Sequence, residues 1–441
     1  MIINRVFLSS GSDSGGPFWV ATYGNDIDNQ QIEANGIAVD GNLNVYVGGR
    51  PNYFPFPVRV FKITKAGSLE WQYRPESGRL FFNDPFTAGG RVQGKTIVVD
   101  SSNNIYYRYK YDLSDAAFFW GSIKINPSAT RLWENNYQTL PRAGFNAVDS
   151  AGNFYGVNSS TSFRLMVQSQ STGDGVNSFR LVELSGQFLR ALSIAFSGTW
   201  GSLVGGCGDG AFFRQAITSG SPFGTPSVWR VDDGLGWSFL RVHDCAFDSN
   251  FNTIFIGLNG SPWGGWVASN PFLSAGISWT RSFANVRLNQ VVVDSSGNVL
   301  VAGHTNMSSP DGAFIAKLNS SGTVQWQRRL TISGYAQLQA YNLATDSIGN
   351  IYIAMNGFTT TGNKAPIITA KLPSDGSLTG TYGNITYASF SATVNTTSFL
   401  LNITGESGAT ITSLTDGAIS QSAALNTFVT TTETYSVVTL S

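Results

Sequence analysis

Six aspartates recur in one short pattern along the chain. Asp40, Asp100, Asp149, Asp248, Asp294 and Asp346 each follow a brief apolar run and precede a small polar turn and an alternating segment, as in VVVDSSGNVLVAG ending at Gly303. A carboxylate in that position has two chemistries open to it: it can bind a cation, or it can cap a turn. Calcium loops of the EF-hand type need oxygen ligands on alternate positions and a distal Glu. DSSGN carries one carboxylate and stops. Capping is therefore the expected role, because Asp bonds the backbone two residues on and Gly supplies the positive φ of the turn. No metal and no cofactor are expected.

Catalytic constellations are sparse. The two histidines, His243 and His304, show no partner at helical or hairpin spacing, and no Cys/His cluster has zinc spacing. Asp209 with Asp232 and Asp233, or Asp112 with Asp115, offers candidate acid pairs, but nothing in the sequence brings them together. Neither a GxSxG nor a P-loop occurs, and the Asp-box spacing of sialidase-type propellers is missing. Cys207 and Cys245 are expected to be buried thiols rather than a disulfide. The expectation is a protein that is not an enzyme, with a glycan-acting propeller enzyme as one alternative.

Composition narrows the class. Charged residues are 12% of 441 residues, with Lys+Arg and Asp+Glu both 27 and aromatics 13%. Ordinary soluble proteins carry about 25% charge, so solubility here rests on Ser, Thr, Asn and Gln. A basic footprint for nucleic acid is absent, and a helical bundle would need charged faces. No apolar stretch of about 18 residues suggests a spanning helix. The N-terminal MIINRVFLSSGSDSGG does not read as a secretory signal, so the Asn-x-Ser/Thr triplets at Asn395 and Asn402 are read as chance.

The elements that position the aspartates form a repeat. Successive markers are separated by 60, 49, 99, 46 and 52 residues. The doubled gap implies a hidden copy in LSIAFSGTWGSLVGGC, with Ser197 in the marker position. Each copy reads as an apolar strand, a DSSGN-type turn and an alternating strand, followed by a second hairpin such as VFKITKAGSLEWQYR or FIAKLNSSGTVQWQR. The fourth strands carry Trp71, Trp133, Trp279 and Trp326. Four-stranded units of about 50 residues are propeller blades.

The repeat resembles the DSSGN-type, SBBP-like seven-bladed β-propeller repeats, with a looser likeness to NHL propellers. The likeness runs over roughly residues 18 to 384, and it implies a fold rather than an activity. The expected architecture is all-β: a seven-bladed β-propeller of four-stranded blades over residues 1–384, and a small β-rich C-terminal appendage over 385–441. PFWVATYG, near 17–24, is expected to supply the missing fourth strand of the last blade, joining the ends of the ring. The appendage has no Lys or Arg and alternates at period two. It is expected to serve assembly or docking, since it is too short to bury a core alone.

In such a fold the hairpin turns share one face and the remaining connections share the other. The second set is long, irregular and aromatic here: Tyr53, Phe54, Phe56, Phe81, Phe82, Phe118, Phe119, Trp120, Trp263 and Trp266. Aromatics on loops held by a rigid scaffold suit recognition. Low charge, heavy Asn/Ser/Thr/Gly use and a β appendage after a propeller resemble bacteriophage tail proteins. The functional expectation is a non-enzymatic virion structural protein of the tail (fibre, tip or nozzle). It would be made in the host cytoplasm and present in several copies or as a homo-oligomer. Its expected partners are other virion proteins and a host surface glycan or receptor, without nucleic acid or membrane insertion. The other alternative is a bacterial lectin-like or scaffold propeller.

Overall fold

The computed structural model describes the chain apart from residues 1, 10–16, 25–31, 52–58, 74–96, 115–116, 139–142, 160–162, 169–174, 182–188, 198–199, 208–210, 219–220, 233–240, 260–263, 272–276, 307–310, 360–366, 396–401, 407–411, 415–437 and 440–441. Every element among the described residues is a strand, and no helix is long and apolar enough to cross a membrane.

Two strands, β1 (Ile2–Ser9) and β2 (Phe18–Gly24), precede the first repeat. Sheet 1 is β3 (Ile32–Val39), β4 (Val45–Pro51), β5 (Arg59–Ile63) and β6 (Leu69–Tyr73). Sheet 2 is β7 (Ile97–Val99), β8 (Ile105–Ser114), β9 (Ala117–Ile125) and β10 (Arg131–Gln138). Sheet 3 begins with β11 (Ala143–Val148), β12 (Phe154–Ser159), β13 (Phe163–Gln168) and β14 (Gly175–Leu181). Sheet 4 begins with β15 (Leu189–Ser197), β16 (Trp200–Cys207), β17 (Ala211–Thr218) and β18 (Ser221–Asp232). Sheet 5 begins with β19 (Arg241–Phe247), β20 (Thr253–Asn259), β21 (Gly264–Asn270) and β22 (Trp279–Ala284). Sheet 6 begins with β23 (Val286–Val293), β24 (Val299–Thr305), β25 (Gly312–Leu318) and β26 (Val324–Ile332). Sheet 7 begins with β27 (Tyr335–Thr345), β28 (Ile351–Thr359) and β29 (Ile367–Leu372). The chain then runs through β30 (Gly380–Tyr382), β31 (Ile385–Ser389), β32 (Val394–Asn395), β33 (Asn402–Glu406), β34 (Thr412–Leu414) and β35 (Val438–Thr439).

Within each sheet, chain neighbours pair antiparallel, so every repeat is a meander. The repeat that lost its marker keeps its hairpin, with Ser197 opposite Trp200. Sheet 7 takes its fourth strand from the other end of the chain: β2 pairs with β29, Trp19 opposite Lys371 and Ala21 opposite Thr369. The chain divides into two compact units, one holding sheets 6, 7 and 1 and the other sheets 2 to 5. In the first unit the opening strands β23, β27 and β3 lie side by side; in the second, β7, β11, β15 and β19 do so. Stacked four-stranded meanders with adjacent opening strands fit a β-propeller.

Among the described residues, both faces of sheets 6, 7 and 1 are buried. Along β2, Phe18 and Val20 join one apolar layer with Leu300, Ile315, Ile353 and Ile368, between sheets 6 and 7. Trp19 and Ala21 point the other way, into a layer with Val47, Phe61, Ile63 and Tyr352, between sheets 7 and 1. Side chains alternate across a strand, so a strand packed on both sides reads as a nearly continuous apolar run. That explains VVV and IAV ahead of each marker.

The described strands of the 385–441 segment pair with the chain's own sheets. The boundary at 384/385 falls inside the β30–β31 hairpin, where Tyr382 faces Ile385. Beyond it the described strands extend the chain's own sheets: β31 pairs with β26, β32 with β22, β33 with β18 and β34 with β14. Lastly, β35 lies parallel to β1, which itself pairs with β2. An outer strand exposes a row of unpaired N–H and C=O groups, and a tethered segment reaches them at high effective concentration. The described strands of this segment thus lie on edges of the chain's own sheets.

Candidate functional site

The marker aspartates head turns of one form. Asp40 Oδ1 accepts the backbone N–H of Asn42 and of Asn44, both at 2.8 Å. Its Oδ2 accepts Asn44 Nδ2 at 3.0 Å and the Tyr46 hydroxyl at 2.9 Å. Asp100 with Asn104 and Tyr106, and Asp346 with Asn350 and Tyr352, repeat this geometry. Asp149 does so with Asn153 and Tyr155. Asp248 and Asp294 keep the Asn contact, to Asn252 and Asn298, but have Ile254 and Leu300 where the tyrosine would stand. The third residue after each Asp takes a positive φ: Gly152 at 80°, Gly297 at 78° and Gly349 at 87°, but also Leu43 at 65° and Phe251 at 61°. The glycines of DSSGN thus meet a backbone requirement that the other copies meet with strain.

A lysine that the sequence reading passed over completes the cluster. Across sheet 1, Tyr46, Lys62 and Trp71 stand opposite one another on β4, β5 and β6. The same row is Tyr106, Lys124 and Trp133 in sheet 2, and Tyr352, Lys371 and Trp19 in sheet 7. All four lysines of this type, including Lys317, are at most 8% exposed. Lys317 Nζ sits 3.0 Å from Asp294 Oδ2, taking the place of the missing tyrosine, while Lys124 Nζ is 3.5 Å from Asp100 and 4.8 Å above the Tyr106 ring. Lys62 pairs with Glu70 at 2.8 Å. The signal was present in the text of the repeats, as FKI, IKI, AKL and AKL at one position of the second hairpin.

The electrostatics follow from burial. Desolvation and then the Asp40, Asp100 and Asp346 charges push the hydroxyls of Tyr46, Tyr106 and Tyr352 far above the ordinary phenol range. Burial lowers the Lys124 ammonium, and Asp100 offsets part of that. For Asp294, burial works to raise the pKa, but hydrogen bonds from Asn298 and the Lys317 ammonium prevail and hold it below its usual range. These carboxylates already accept three or four donors each and are at most 7% exposed, apart from the partly buried Asp248. The clusters cap turns and tie strands together.

Sheet-to-sheet joints are the second polar feature. The opening strands β3, β23 and β27 each carry a bulge, at Ala34/Gly36, Leu288/Gln290 and Ala340/Asn342. Near these bulges Asn289 Nδ2 donates to the Ala340 carbonyl at 2.8 Å, and Leu343 N–H donates to Gln290 Oε1 at 2.5 Å. Asn356 Oδ1 accepts the Ala34 N–H at 2.8 Å. Bulges re-aim side chains, and here the amides bind the neighbouring sheet.

The predicted recognition aromatics separate into three groups. Tyr53, Phe54, Phe56, Phe81, Phe82 and Trp263 lie outside the described residues. Phe118, Phe119 and Trp120 are on β9 rather than in a loop; they face Asp112, Tyr111 and Lys110, because strand pairing continues to Ser114 and Ala117. Trp266 is a correction: it lies on β21, fully buried, edge-on to Phe255 at 5.6 Å. Pairing of β20 with β21 as far as Asn259 and Gly264 draws it out of the loop and into the core.

Among the candidate catalytic residues, His304 is buried on β24 and Cys245 is buried on β19. Asp112 and Asp232 lie on β8 and β18, whereas Asp115, Asp209 and Asp233 fall outside the described residues. Among the described residues no group of three or more His, Cys, Asp or Glu could hold a metal ion.

No protein-family model and no curated protein matches the chain. Among solved structures it is similar to the Dos1 propeller, at 8% identity and a TM-score of 0.41 over 77% of this chain and 92% of that one. It is also similar to a protein of unknown function from Bacteroides caccae, at 14% identity and 0.35 over 74% and 93%. Chaetomium thermophilum Raptor matches at 10% identity and 0.46, over 80% of this chain and 28% of that one.

Proposed function

We propose that the chain is a seven-bladed β-propeller acting as a non-enzymatic structural and binding scaffold, of the kind used in bacteriophage tails. The observation that carries the reading is how the repeat's own chemistry is spent. The marker carboxylates accept hydrogen bonds from their turns, and from tyrosine or lysine beneath them, so the recurring acids serve the frame. Variation is confined to the longer connections, where loop aromatics suit a protein or host-surface partner. Edges covered by the chain's own C-terminal strands suit a protein that must stay assembled without joining its neighbours at random. Low charge and abundant Asn, Ser, Thr and Gly are in keeping with a virion component.

Mass spectrometry of particles purified from the organism that carries the gene tests this directly. A virion role requires peptides of this chain at a fixed ratio to the other tail proteins. Its absence from particles, with sugar binding by the isolated chain, would favour the lectin-like reading. Turnover of a glycan that disappears on substituting Asp209 or Asp232 would favour an enzyme.

A further inference from the structure

We propose that the C-terminal strands form a strap that docks in chain order, so that β32, β33 and β34 hold their edges only while β31 is seated on sheet 6. Each of these strands lies antiparallel to the fourth strand of a sheet: β31 on β26, β32 on β22, β33 on β18 and β34 on β14. The strap therefore visits sheets 6, 5, 4 and 3, against the order in which the chain forms them. Its seats are unequal. The pairing of β31 runs from Arg328 opposite Ser389 to Ile332 opposite Ile385, and Ile385 and Tyr387 enter the apolar layer between sheets 6 and 7. Ser333 N–H donates to the Asn384 carbonyl at 2.7 Å, and Phe390 N–H to the Gln327 carbonyl at 3.2 Å. Phe390 stands edge-on to Phe314 at 5.9 Å, with the Arg329 guanidinium over its ring. Where the chain leaves sheet 6, the Gln327 side chain takes over from the ladder. Its Oε1 accepts the Ala392 N–H at 3.0 Å, and its Nε2 donates to the Ala392 carbonyl at 3.3 Å. By contrast, β32 pairs only Asn395 and Val394, and β34 only Leu414, Ser413 and Thr412.

Tether length sets the order. Residues 390–393, 396–401 and 407–411 join the four strands. With the meanders formed and the strap free, β34 hangs from Leu372 at the end of β29 by about 40 residues. With β33 seated, it hangs from Glu406 by the 407–411 link alone. Effective concentration falls as roughly the −3/2 power of tether length, so seating β33 raises that of β34 on the order of twentyfold. The same gain passes from β32 to β33 and from β31 to β32. Short seats rely on it, whereas β31 brings buried apolar side chains of its own and can dock first. A strap closing from its far end would begin with β35, which pairs Val438 and Thr439 with β1 through the longest tether of the series. The proposal holds with or without a virion role, since it concerns how the chain closes its own edges.

Hydrogen–deuterium exchange read by mass spectrometry tests the order. The full chain is compared with Gln327→Leu, with the double variant Ala388→Pro/Ser389→Pro, and with a truncation after Glu406. Adjacent prolines remove at least one ladder N–H of β31, because strand residues alternate. Both substitutions should raise exchange in β32, β33 and β34 by about tenfold or more, although β34 pairs three sheets away from Gln327. The truncation removes β34 and should leave exchange in β31 and β32 within about twofold of the full chain. Protection of β34 that is unchanged in both substituted chains overturns the proposal. So does a truncation that loosens β31 as much as the prolines do, which would mean closure from the far end or all at once. Exchange of β23 and β27 reports whether the sheets themselves stay folded. If the proline variant loses that protection, Gln327→Leu, whose side chain lies outside the apolar layers, decides alone.

Discussion

The indole of Trp19, on a strand that belongs to the last sheet, lies flat against Gly67 in the second hairpin of the first. A Cβ built on Gly67 would stand 2.7 Å from Trp19 Cδ2, and Trp19 Nε1 donates to the Lys65 carbonyl at 3.1 Å. Trp326 of sheet 6 meets Gly376, in the turn after β29, in the same way, at 2.7 Å. The fourth-strand tryptophan of one repeat thus seats on the hairpin glycine of the next, and the joint between the two ends of the chain uses the same contact.

Gly67→Ala should cost more than a positive φ alone explains. Gly67 and Gly297 have nearly the same φ, 80° and 78°, but nothing lies within 4 Å of a Cβ at Gly297. Gly297→Ala should lose about 1–2 kcal/mol in denaturant unfolding from backbone strain. Gly67→Ala should lose a further 1–3 kcal/mol or so from overpacking against the indole, with a shift in tryptophan emission. Equal losses at both sites would show that the Trp19 contact is dispensable.

Deleting residues 1–24 should lower the melting temperature sharply. It removes the strand paired with β29, exposing that edge, and takes Phe18, Trp19, Val20 and Ala21 out of two apolar layers. Burial of large apolar side chains stabilises by about 1.5–3 kcal/mol each, comparable in sum to the whole stability of a domain. An unchanged melting curve would mean that another segment fills the place of β2.

The tyrosine-bearing turns should matter more than those without. Asp346→Ala strands the Asn350 N–H, the Asn350 Nδ2 amide and the Tyr352 hydroxyl in a buried site. A loss of about 3–5 kcal/mol is expected, since each stranded buried donor costs roughly 1–3 kcal/mol. Asp248→Ala, at a partly buried turn lacking the tyrosine, should lose about 1–2 kcal/mol. Chemical denaturation of the two variants side by side measures the difference.

Stability should fall at both ends of the pH scale, for separate reasons. Above pH 10.0 the unfolded chain ionises Tyr46, Tyr106 and Tyr352, whereas the fold keeps them neutral. Their contribution is full below that pH and is lost as pH rises past it. Phenolate absorbance from these residues should therefore appear together with unfolding. Asp294 is the reverse case: its depressed pKa stabilises the fold above 3.8, and that share disappears as pH falls through the folded value. Asp294→Asn should flatten the acid limb of the stability profile and leave the alkaline limb unchanged.

The repeat was legible in the text because its turns impose local rules. Asp at the head, positive φ three residues on and apolar runs before the turn are each dictated by a few neighbouring atoms, so they leave a mark in the sequence of each copy that keeps the aspartate. The sequence also implied a fourth strand in PFWVATYG, because a Trp-bearing strand stood before the first repeat with no hairpin of its own. Three things were decided only by tertiary structure. Trp266 and the Phe118–Trp120 run looked like loop aromatics, yet pairing extended the strands through them and carried Trp266 into the core. The buried lysines became visible as a cluster only when strand pairing brought Tyr, Lys and Trp into line, across neighbouring strands for Tyr46, Lys62 and Trp71 and across nearly the whole chain for Trp19 and Lys371. The C-terminal segment carries strand propensity in its own residues, but which edges it pairs with depends on where the sheets leave N–H and C=O groups unpaired, and that is set by sheets formed far away in sequence.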